Sequence, residues 1–265
     1  MTVLKNPKIS VVMSVYNQAQ YLNIAIKSIL DQTYKTFELL ILDDGSTDKS
    51  WSIIKSFTDK RIRIFRNEKR QGLAKGLNFL INKARGVYIA RMDADDISFP
   101  NRLKEQVAFL NKNSQVVLVG CRAIIINQQG QEVGKLQYPI NYQDIKRSIL
   151  SYNPFIHPSV CFRKEIIQEI GGYDEQLFYS QDYDLFLRLI AKYPCVNIPE
   201  FLFKFRWQPD FAKQKKQHLT ALKIRLKAIK DYGYRKWEIV KLIQPLLAYL
   251  TPTSIKQIYW WLKLS

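Results

Sequence analysis

Short apolar runs alternate with amphipathic segments in the first hundred residues. Four of these runs predict strands, at 9–15, 37–42, 62–65 and 87–92, and the first two of them predict buried strands. Apolar residues recur at helical spacing between them and predict three helices: one across Leu22–Leu30, one through Trp51, Ile54 and Phe57, and one at 72–84. Strands that alternate with helices in this way predict βαβ units, right-handed crossovers and a parallel sheet.

The second half of the chain has a less regular pattern. We expect strands at 116–120, 123–127, 157–162 and 202–206, and a helix at 182–193. From Lys213 onward the pattern is helical and basic. We therefore predict two parts: a first domain of residues 1–210, and a basic, amphipathic, helical C-terminal region of residues 211–265.

Polar side chains follow three of the predicted strands. Tyr16-Asn17 comes after the first strand, Asp43-Asp44 after the second, and Asp93 to Asp96 after the fourth. Ligands of open α/β sheets bind beyond the carboxyl ends of the strands. The pattern therefore predicts a binding site at this edge of the sheet.

The carboxylates of this edge allow two interpretations. Asp93 and Asp95 alternate on an extended segment and so point the same way, which suits Mg²⁺ or Mn²⁺ shared with substrate phosphates. Alternatively, these aspartates end a strand and cap a helix that begins near Pro100, while Asp43-Asp44 begins a turn. Each motif alone is compatible with both interpretations, but two such motifs, each after a buried strand, favour a functional site.

The net charge of +18 comes from 41 Lys and Arg against 23 Asp and Glu. Such a balance favours anionic partners, namely phosphates, nucleic acid or an anionic membrane. No RRM, KH or helix-turn-helix pattern is present in the sequence, so we expect no nucleic-acid partner. Three cysteines without CxxC spacing predict buried free thiols and a reducing compartment.

Much of the positive charge lies after residue 210, where it alternates with aliphatic residues. The basic residues between positions 211 and 241 are Lys213, Lys215, Lys216, Lys223, Arg225, Lys227, Lys230, Arg235, Lys236 and Lys241. The apolar residues are Leu219, Leu222, Leu226 and Ile229, and later Ile255, Ile258, Tyr259, Trp260, Trp261 and Leu262. A basic amphipathic stretch with Trp and Tyr is typical of a membrane interface, and packing on the first domain or on a second subunit is the alternative.

No run of the sequence reaches the roughly 18 to 20 apolar residues that cross a bilayer. We therefore expect a cytoplasmic protein that lies peripherally at the inner face of the cell membrane.

A series of motifs, in chain order, resembles the inverting GT-A glycosyltransferases of family 2 over about residues 8–206. The matching segments are 9–17 (ISVVMSVYN), 21–34, 37–48 (FELLILDDGSTD), 72–78 (GLAKGLN), 93–96 (DADD), 171–174 (GGYD) and 182–188 (DYDLFLR). The resemblance implies a Rossmann-like α/β fold, with a mostly parallel sheet flanked by helices. It also implies transfer of a sugar from a nucleotide-diphosphate sugar, a UDP-sugar, to a hydroxyl of a glycan or lipid-linked acceptor, with inversion and with Mn²⁺ or Mg²⁺.

The resemblance also implies roles for individual residues. The donor would be contacted by Ser14, Tyr16, Asn17, Asp43, Asp44, Lys75 and Asp93, and the metal would be held by Asp95 and Asp93. Asp182 would be the general base that accepts the proton of the attacking hydroxyl, because inversion needs a carboxylate opposite the leaving group. This chain has Gln181 where the family usually has glutamate, and helix capping is the alternative role for Asp182.

Two rival functions use some of the same features. A metal-dependent nucleotidyltransferase also needs carboxylates, a metal and a nucleotide, but neither GxxxxGK[ST] nor GxGxxG occurs in the sequence. The other rival is a non-catalytic basic protein that binds a membrane or nucleic acid.

Overall fold

The computed structural model describes residues 7–208 and 211–251 of the chain. The strands in chain order are β1 (Ile9–Val15), β2 (Phe37–Asp43), β3 (Ile62–Arg66), β4 (Tyr88–Arg91), β5 (Ile97–Ser98), β6 (Leu118–Ile126), β7 (Glu132–Leu136), β8 (Cys161–Arg163) and β9 (Cys195–Arg206). The helices are α1 (Leu22–Leu30), α2 (Ser50–Ser56), α3 (Leu73–Lys83), α4 (Arg102–Lys112), α5 (Tyr142–Ser148), α6 (Lys164–Glu169), α7 (Gln181–Lys192), α8 (Phe211–Asp231) and α9 (Ile243–Leu250). Two 3₁₀ segments lie at His157–Ser159 and Lys236–Leu242.

The described strands form one mixed sheet in the order β3-β2-β1-β4-β8-β6-β9-β5, with β7 paired to β6. The pairs of β1 with β2, β1 with β4 and β2 with β3 are parallel, as the βαβ pattern predicts. Beyond β4 the sheet departs from the mostly parallel expectation. There, β6 and β9 pair in parallel, but β8, β7 and β5 run antiparallel to their neighbours. The α/β fold class is confirmed.

The structure differs from the strand predictions of the second half in two places. The segments 116–120 and 123–127 form one strand, β6, because the irregularity at Cys121 and Arg122 is a shift of register against β9 and not a break. The segment 157–162 is a 3₁₀ turn followed by the short β8, which agrees with the helix-compatible φ of Pro158. The elements β5, β7, α5 and α6 were not predicted.

The core has two layers, one on each face of the sheet. Val12 and Leu40 face the layer that contains α3, α7 and α8, while Val11 and Leu39 face the layer that contains α1 and α4. This alternation follows from the two-residue period of a strand. The three cysteines are buried free thiols, as predicted.

The C-terminal region packs partly on the first domain. Ile224 and Ala228 of α8 and the following Tyr234 belong to the same apolar cluster as α7. The domain boundary at residue 210 stays a prediction. The predicted stripe at Ile255, Ile258, Tyr259, Trp260, Trp261 and Leu262 lies outside the described residues. Across residues 7–208 and 211–251, the helices are too short or too polar to traverse a bilayer.

Candidate active site

A cleft with a volume of ≈ 1080 Å³ lies where β4 and β9 end and α3 and α7 begin. Asp93 and Asp95 line it from the segment after β4, and Asp182 lines it from the first turn of α7. Lys75 lines it from α3, and Lys216 from α8. Four residues that the sequence placed at the site (Lys75, Asp93, Asp95 and Asp182) thus share one cavity.

Three carboxylates converge after β4. Ligand oxygens of Asp93, Asp95 and Asp96 lie within 4.8 Å of one another. Asp96 is buried, and its Oδ1 accepts a hydrogen bond of 2.7 Å from the Arg206 backbone N–H. Its Oδ2 is buried without a hydrogen-bond partner among the described residues. The sequence assigned only Asp93 and Asp95 to the metal, so the place of Asp96 in this cluster is an addition.

This cluster is electrostatically unsatisfied. Burial, together with the nearby Asp93 carboxylate, raises the pKa of Asp95 to about 6. Burial, and then the Asp93 and Asp95 carboxylates, raise the pKa of Asp96 well above its usual range. The carboxylate oxygens of this cluster repel one another, and one of them, Asp96 Oδ2, has no hydrogen-bond partner among the described residues. Hard oxygen ligands in this arrangement fit a divalent cation such as Mg²⁺ or Mn²⁺.

Arg206 holds this segment in place from the end of β9. Besides its backbone contact to Asp96, its Nε donates a hydrogen bond of 2.8 Å to the Asp95 carbonyl. Its guanidinium lies 4.2 Å from the centre of the Tyr21 ring. A strand that is distant in sequence therefore fixes the backbone of the acidic segment.

Arg91 is a buried cation beneath the same segment. It is 1% exposed and forms an ion pair with Asp93 through Nη1. Arg91 was not among the predicted site residues, although an arginine within an apolar strand is a usable signal, because a buried charge requires a partner.

Asp182 is the second residue of α7, and the N-cap position belongs to Ser180, whose φ of 57° is left-handed. The Asp182 Oδ2 accepts a hydrogen bond of 3.0 Å from the Asn153 side chain. Burial raises the pKa of Asp182, while the Tyr183 backbone N–H and the Arg91 cation act in the opposite direction. The carboxylate is thus oriented toward the cleft and is a stronger base than an exposed aspartate.

His157 lies in the wall of the cleft beside Tyr173. The His157 Nε2 and the Tyr173 hydroxyl share a hydrogen bond of 2.8 Å. Burial and the Arg91 cation hold the pKa of His157 well below its usual value, so the imidazole is neutral at pH 7. A neutral histidine that is hydrogen-bonded to a buried tyrosine has a structural role in this wall.

The Gly171–Asp174 turn is anchored to α3. The Asn78 side chain accepts a hydrogen bond from the Tyr173 N–H and donates one to the Tyr173 carbonyl, both at 2.9 Å. Gly172 has a φ of +67°, and a Cβ there would lie 2.6 Å from the Asn78 Oδ1. Any other residue at position 172 would require Asn78 to move and would strain the positive φ, so glycine is favoured here.

Asp44 organises the loop between β3 and α3. Its Oδ1 accepts hydrogen bonds from the Asn67 side chain at 2.7 Å and the Gln71 N–H at 2.8 Å, and its Oδ2 accepts one from the Gly72 N–H at 2.8 Å. The carboxylate is buried. Arg70, Gln71 and Gly72 line the cleft, whereas Asp44 supports them from behind.

The other residues predicted to contact the donor surround the cleft and do not line it. Asp43 is buried, and its carboxylate accepts hydrogen bonds from the Ser46 N–H and the Arg66 Nε. Asn17 accepts a hydrogen bond of 2.9 Å from the Thr47 N–H. Tyr16 packs against the Arg70 guanidinium at 4.2 Å from the ring centre, and Ser14 is half-buried beneath Gly76. These contacts stabilise the turns on which the lining loop rests.

The family model described as "Glycosyl transferase family 2" matches residues 10–171 of the chain. A glycosyltransferase of Methanocaldococcus jannaschii is 34% identical over 96% of this chain and 93% of its own length. The O-antigen biosynthesis glycosyltransferase WbnJ of Escherichia coli is 37% identical over 75% of this chain and 79% of its own length.

Two solved structures have a similar fold. TarS of S. aureus, solved in complex with UDP, superposes with a TM-score of 0.68 over 92% of this chain and 70% of its own, at 18% identity. The mannosyltransferase PcManGT of Pyrobaculum calidifontis, solved with GDP-Man and Mn²⁺, gives a TM-score of 0.70 over 92% of this chain and 72% of its own, also at 18% identity. At this identity the structures establish the similarity of fold alone.

Proposed function

Because the chain belongs to glycosyl transferase family 2, we propose that it transfers a hexosyl or N-acetylhexosaminyl group from a UDP-sugar to an acceptor hydroxyl, with inversion. The acceptor is a growing surface polysaccharide or a glycolipid. One observation carries the proposal: the Asp182 carboxylate and the carboxylates of Asp93 and Asp95 line the same cleft from separate elements. Transfer requires both a site for the diphosphate and a base for the hydroxyl.

The donor side of the cleft lies between the acidic segment and the Arg70–Lys75 segment. Arg70 and Lys75 supply positive charge there, and the backbone of Gln71 and Gly72 is held at the cleft by Asp44. These groups suit an anionic nucleotide diphosphate. In this proposal Asp44 acts on the donor through the loop that it supports.

Asp93 and Asp95 would hold Mn²⁺ or Mg²⁺, with Asp96 behind them. When bound, the ion supplies positive charge that stabilises the diphosphate leaving group. Arg91 neutralises part of the charge of Asp93, and Arg206 fixes the backbone of Asp95. The chain thus keeps three close carboxylates in place before any donor binds.

Asp182 is the proposed general base. Its carboxylate accepts the proton of the acceptor hydroxyl while that oxygen attacks the anomeric carbon from the face opposite the leaving group. The raised pKa of Asp182 brings its basicity closer to neutral pH, where proton transfer is more efficient. Asn153 fixes the orientation of the carboxylate through its hydrogen bond to Oδ2.

The acceptor side is proposed to be the apolar wall opposite the Arg70–Lys75 segment. Tyr138 of the segment after β7 and Phe205 of β9 line this wall. Phe178 lines the cleft next to the α7 N-terminus and is 81% exposed. Aromatic side chains with a few polar groups are the usual lining of a small-molecule site.

The test combines donor binding with transfer. A thermal-shift screen of UDP-, GDP- and TDP-sugars with Mn²⁺ or Mg²⁺ identifies the donor, because a ligand that binds the folded state raises the melting temperature. Proton NMR of the product then gives the anomeric configuration. We expect stabilisation by a UDP-sugar and an inverted product. Stabilisation by no nucleotide sugar, or retention of configuration, would contradict the proposal.

The variant Asp182→Asn examines the base separately. We expect it to retain donor binding and to lose transfer. The matched control is Asp144→Asn, since Asp144 also lies in the first turn of a helix, α5, but is exposed and outside the cleft. Full transfer by the Asp182→Asn variant would remove Asp182 from the mechanism without affecting the donor assignment.

A further inference from the structure

The last described part of the chain exposes an unusual amount of apolar surface. Sixteen large apolar side chains are exposed in the described residues, and seven of them lie between residues 237 and 250. They are Trp237, Ile239, Val240, Ile243, Leu246, Leu247 and Leu250, and we call them the α9 surface. Scattered exposed apolar residues are normal, but a contiguous group indicates an interaction site.

Six of the seven members of the α9 surface, all except Ile239, fall on consecutive faces of two joined helices. Ile243, Leu246, Leu247 and Leu250 follow i, i+3, i+4, i+7 spacing and so share one face of α9. Trp237 and Val240 are three residues apart and share one face of the 3₁₀ segment that precedes α9, and Ile243 follows three residues later at the start of α9. Each of these side chains is between 46% and 63% exposed. The spacing therefore gives one continuous apolar stripe.

The charge next to this stripe is positive. Residues 216–251 contain eight basic and two acidic side chains. One of the two acids, Glu238, already bonds Lys241 and the Arg235 N–H, whereas Lys223, Lys230 and Lys236 are exposed. An apolar stripe with a tryptophan and surrounding lysines is the composition of a helix that lies in the interface of an anionic bilayer.

We propose that the α9 surface docks on an anionic lipid membrane. A second copy of this chain is a poorer occupant, because a two-fold contact would bring two strongly basic surfaces together. The α8 helix joins the docking surface to the site: its Lys216 and Gln217 line the cleft, and Ser180 donates a hydrogen bond of 3.2 Å to the Gln217 carbonyl. Docking through α9 thus keeps the cleft close to acceptors that are held at the membrane.

The experiment is flotation of the full chain with vesicles of phosphatidylcholine, alone or mixed with phosphatidylglycerol. We expect flotation with the mixed vesicles, little with the neutral ones, and a decrease as salt screens the charges. The variant Ile243→Ser/Leu247→Ser/Leu250→Ser should reduce the affinity for mixed vesicles by about tenfold or more, while its net charge is unchanged. Its control is Ile24→Ser/Ile64→Ser/Val87→Ser, which replaces three exposed apolar residues elsewhere and should float like the unmodified protein.

A second variant tests the charge independently and keeps the proposal falsifiable if the triple serine variant does not fold. Lys223→Gln/Lys230→Gln/Lys236→Gln should weaken flotation, and Lys35→Gln/Lys60→Gln/Lys112→Gln should weaken it clearly less. Equal flotation of test and control variants overturns the proposal, as does the absence of flotation with anionic vesicles. Sedimentation that shows a dimer broken by the triple serine variant, without vesicle binding, assigns the surface to a second copy and also overturns it.

Discussion

Arg91 and Asp93 form an ion pair in which the two partners differ in burial. The Arg91 side chain is 2% exposed, whereas that of Asp93 is 32% exposed and lines the cleft. Water can therefore solvate Asp93 if its partner is removed, but it cannot solvate Arg91. The pair holds the start of the acidic segment in place. Because its two members differ in burial, their replacement should differ in its effect on stability.

We expect Asp93→Asn to destabilise the protein by about 3 kcal/mol, because it leaves a buried guanidinium without its counter-charge. Arg91→Met should cost only about 1 to 2 kcal/mol, because the carboxylate that remains is hydrated. Urea unfolding of the two variants shows which of them loses more unfolding free energy. The double variant should recover part of the loss. A larger loss for Arg91→Met than for Asp93→Asn would contradict the role assigned to burial.

Asp95→Asn should weaken the binding of UDP in the presence of Mn²⁺ by about tenfold or more, because one hard anionic ligand of the diphosphate-bound ion is lost. Isothermal titration calorimetry measures this directly, with EDTA as the metal-free reference. The control is Asp31→Asn, an exposed aspartate at the end of α1. If the unmodified protein and the Asp95→Asn variant bind UDP with equal affinity, both with Mn²⁺ and with EDTA, a metal site at Asp95 is excluded.

The rate of transfer should fall as the pH is lowered through the raised pKa of Asp182. The general base must be ionised, and burial shifts its ionisation above the ordinary value of about 3.9. The acid limb of the pH–rate profile should therefore lie above that value. A limb at the ordinary pKa of an exposed aspartate would contradict the assignment.

The same shift has a consequence for stability. An acid with a raised pKa binds more protons in the folded state than in the unfolded state, so its ionisation lowers the free energy of unfolding as the pH rises. Asp182→Asn removes this contribution. The stability of the variant relative to the unmodified protein should therefore increase from pH 4 to pH 8, which paired thermal unfolding at each pH measures. A constant difference would mean that Asp182 has the same pKa in both states.

The sequence predicted the first half of the fold because three of its strands, β1, β2 and β4, are buried on both faces. β1 and β2 are mostly apolar runs, and the ends of β2 and β4 place Asp43, Asp44 and Asp93 at one edge of the sheet. The second half was harder because its strands are short or irregular. A register shift at Arg122 looks like a strand break in the sequence, and β5 has only two residues.

The candidate site was predictable where one local segment carries the chemistry, as in Asp93 to Asp96. It was not predictable where the chemistry depends on distant partners. Nothing near Arg206 in the sequence indicates that it binds the backbone of Asp95, 111 residues away. Arg91 was detectable in principle because it interrupts an apolar strand, whereas the partners of Asp44 depend on how a separate loop folds.

Asp44 offers a prediction that separates support of the loop from contact with the base. Its carboxylate accepts three hydrogen bonds, two on Oδ1 and one on Oδ2, all from residues 67–72. In Asp44→Asn one oxygen becomes an NH₂ group that faces an N–H donor, so at least one bond is lost and two donors are opposed. We expect a loss of about 1 to 3 kcal/mol in stability and weaker binding of every nucleotide sugar, because Arg70, Gln71 and Gly72 line the cleft.

The matched control for Asp44→Asn is Asp48→Asn. Asp48 lies in the same turn and accepts hydrogen bonds from the Ala19 and Ser50 N–H groups, but none from the loop at 67–72 is recorded for it among the described residues. The Asp48→Asn variant should lose stability but keep its affinity for the donor. Thermal shifts with UDP-, GDP- and TDP-sugars compare the two variants. If Asp44→Asn changes the preference among the bases and leaves stability intact, Asp44 reads the base directly, and the loop-support interpretation is wrong.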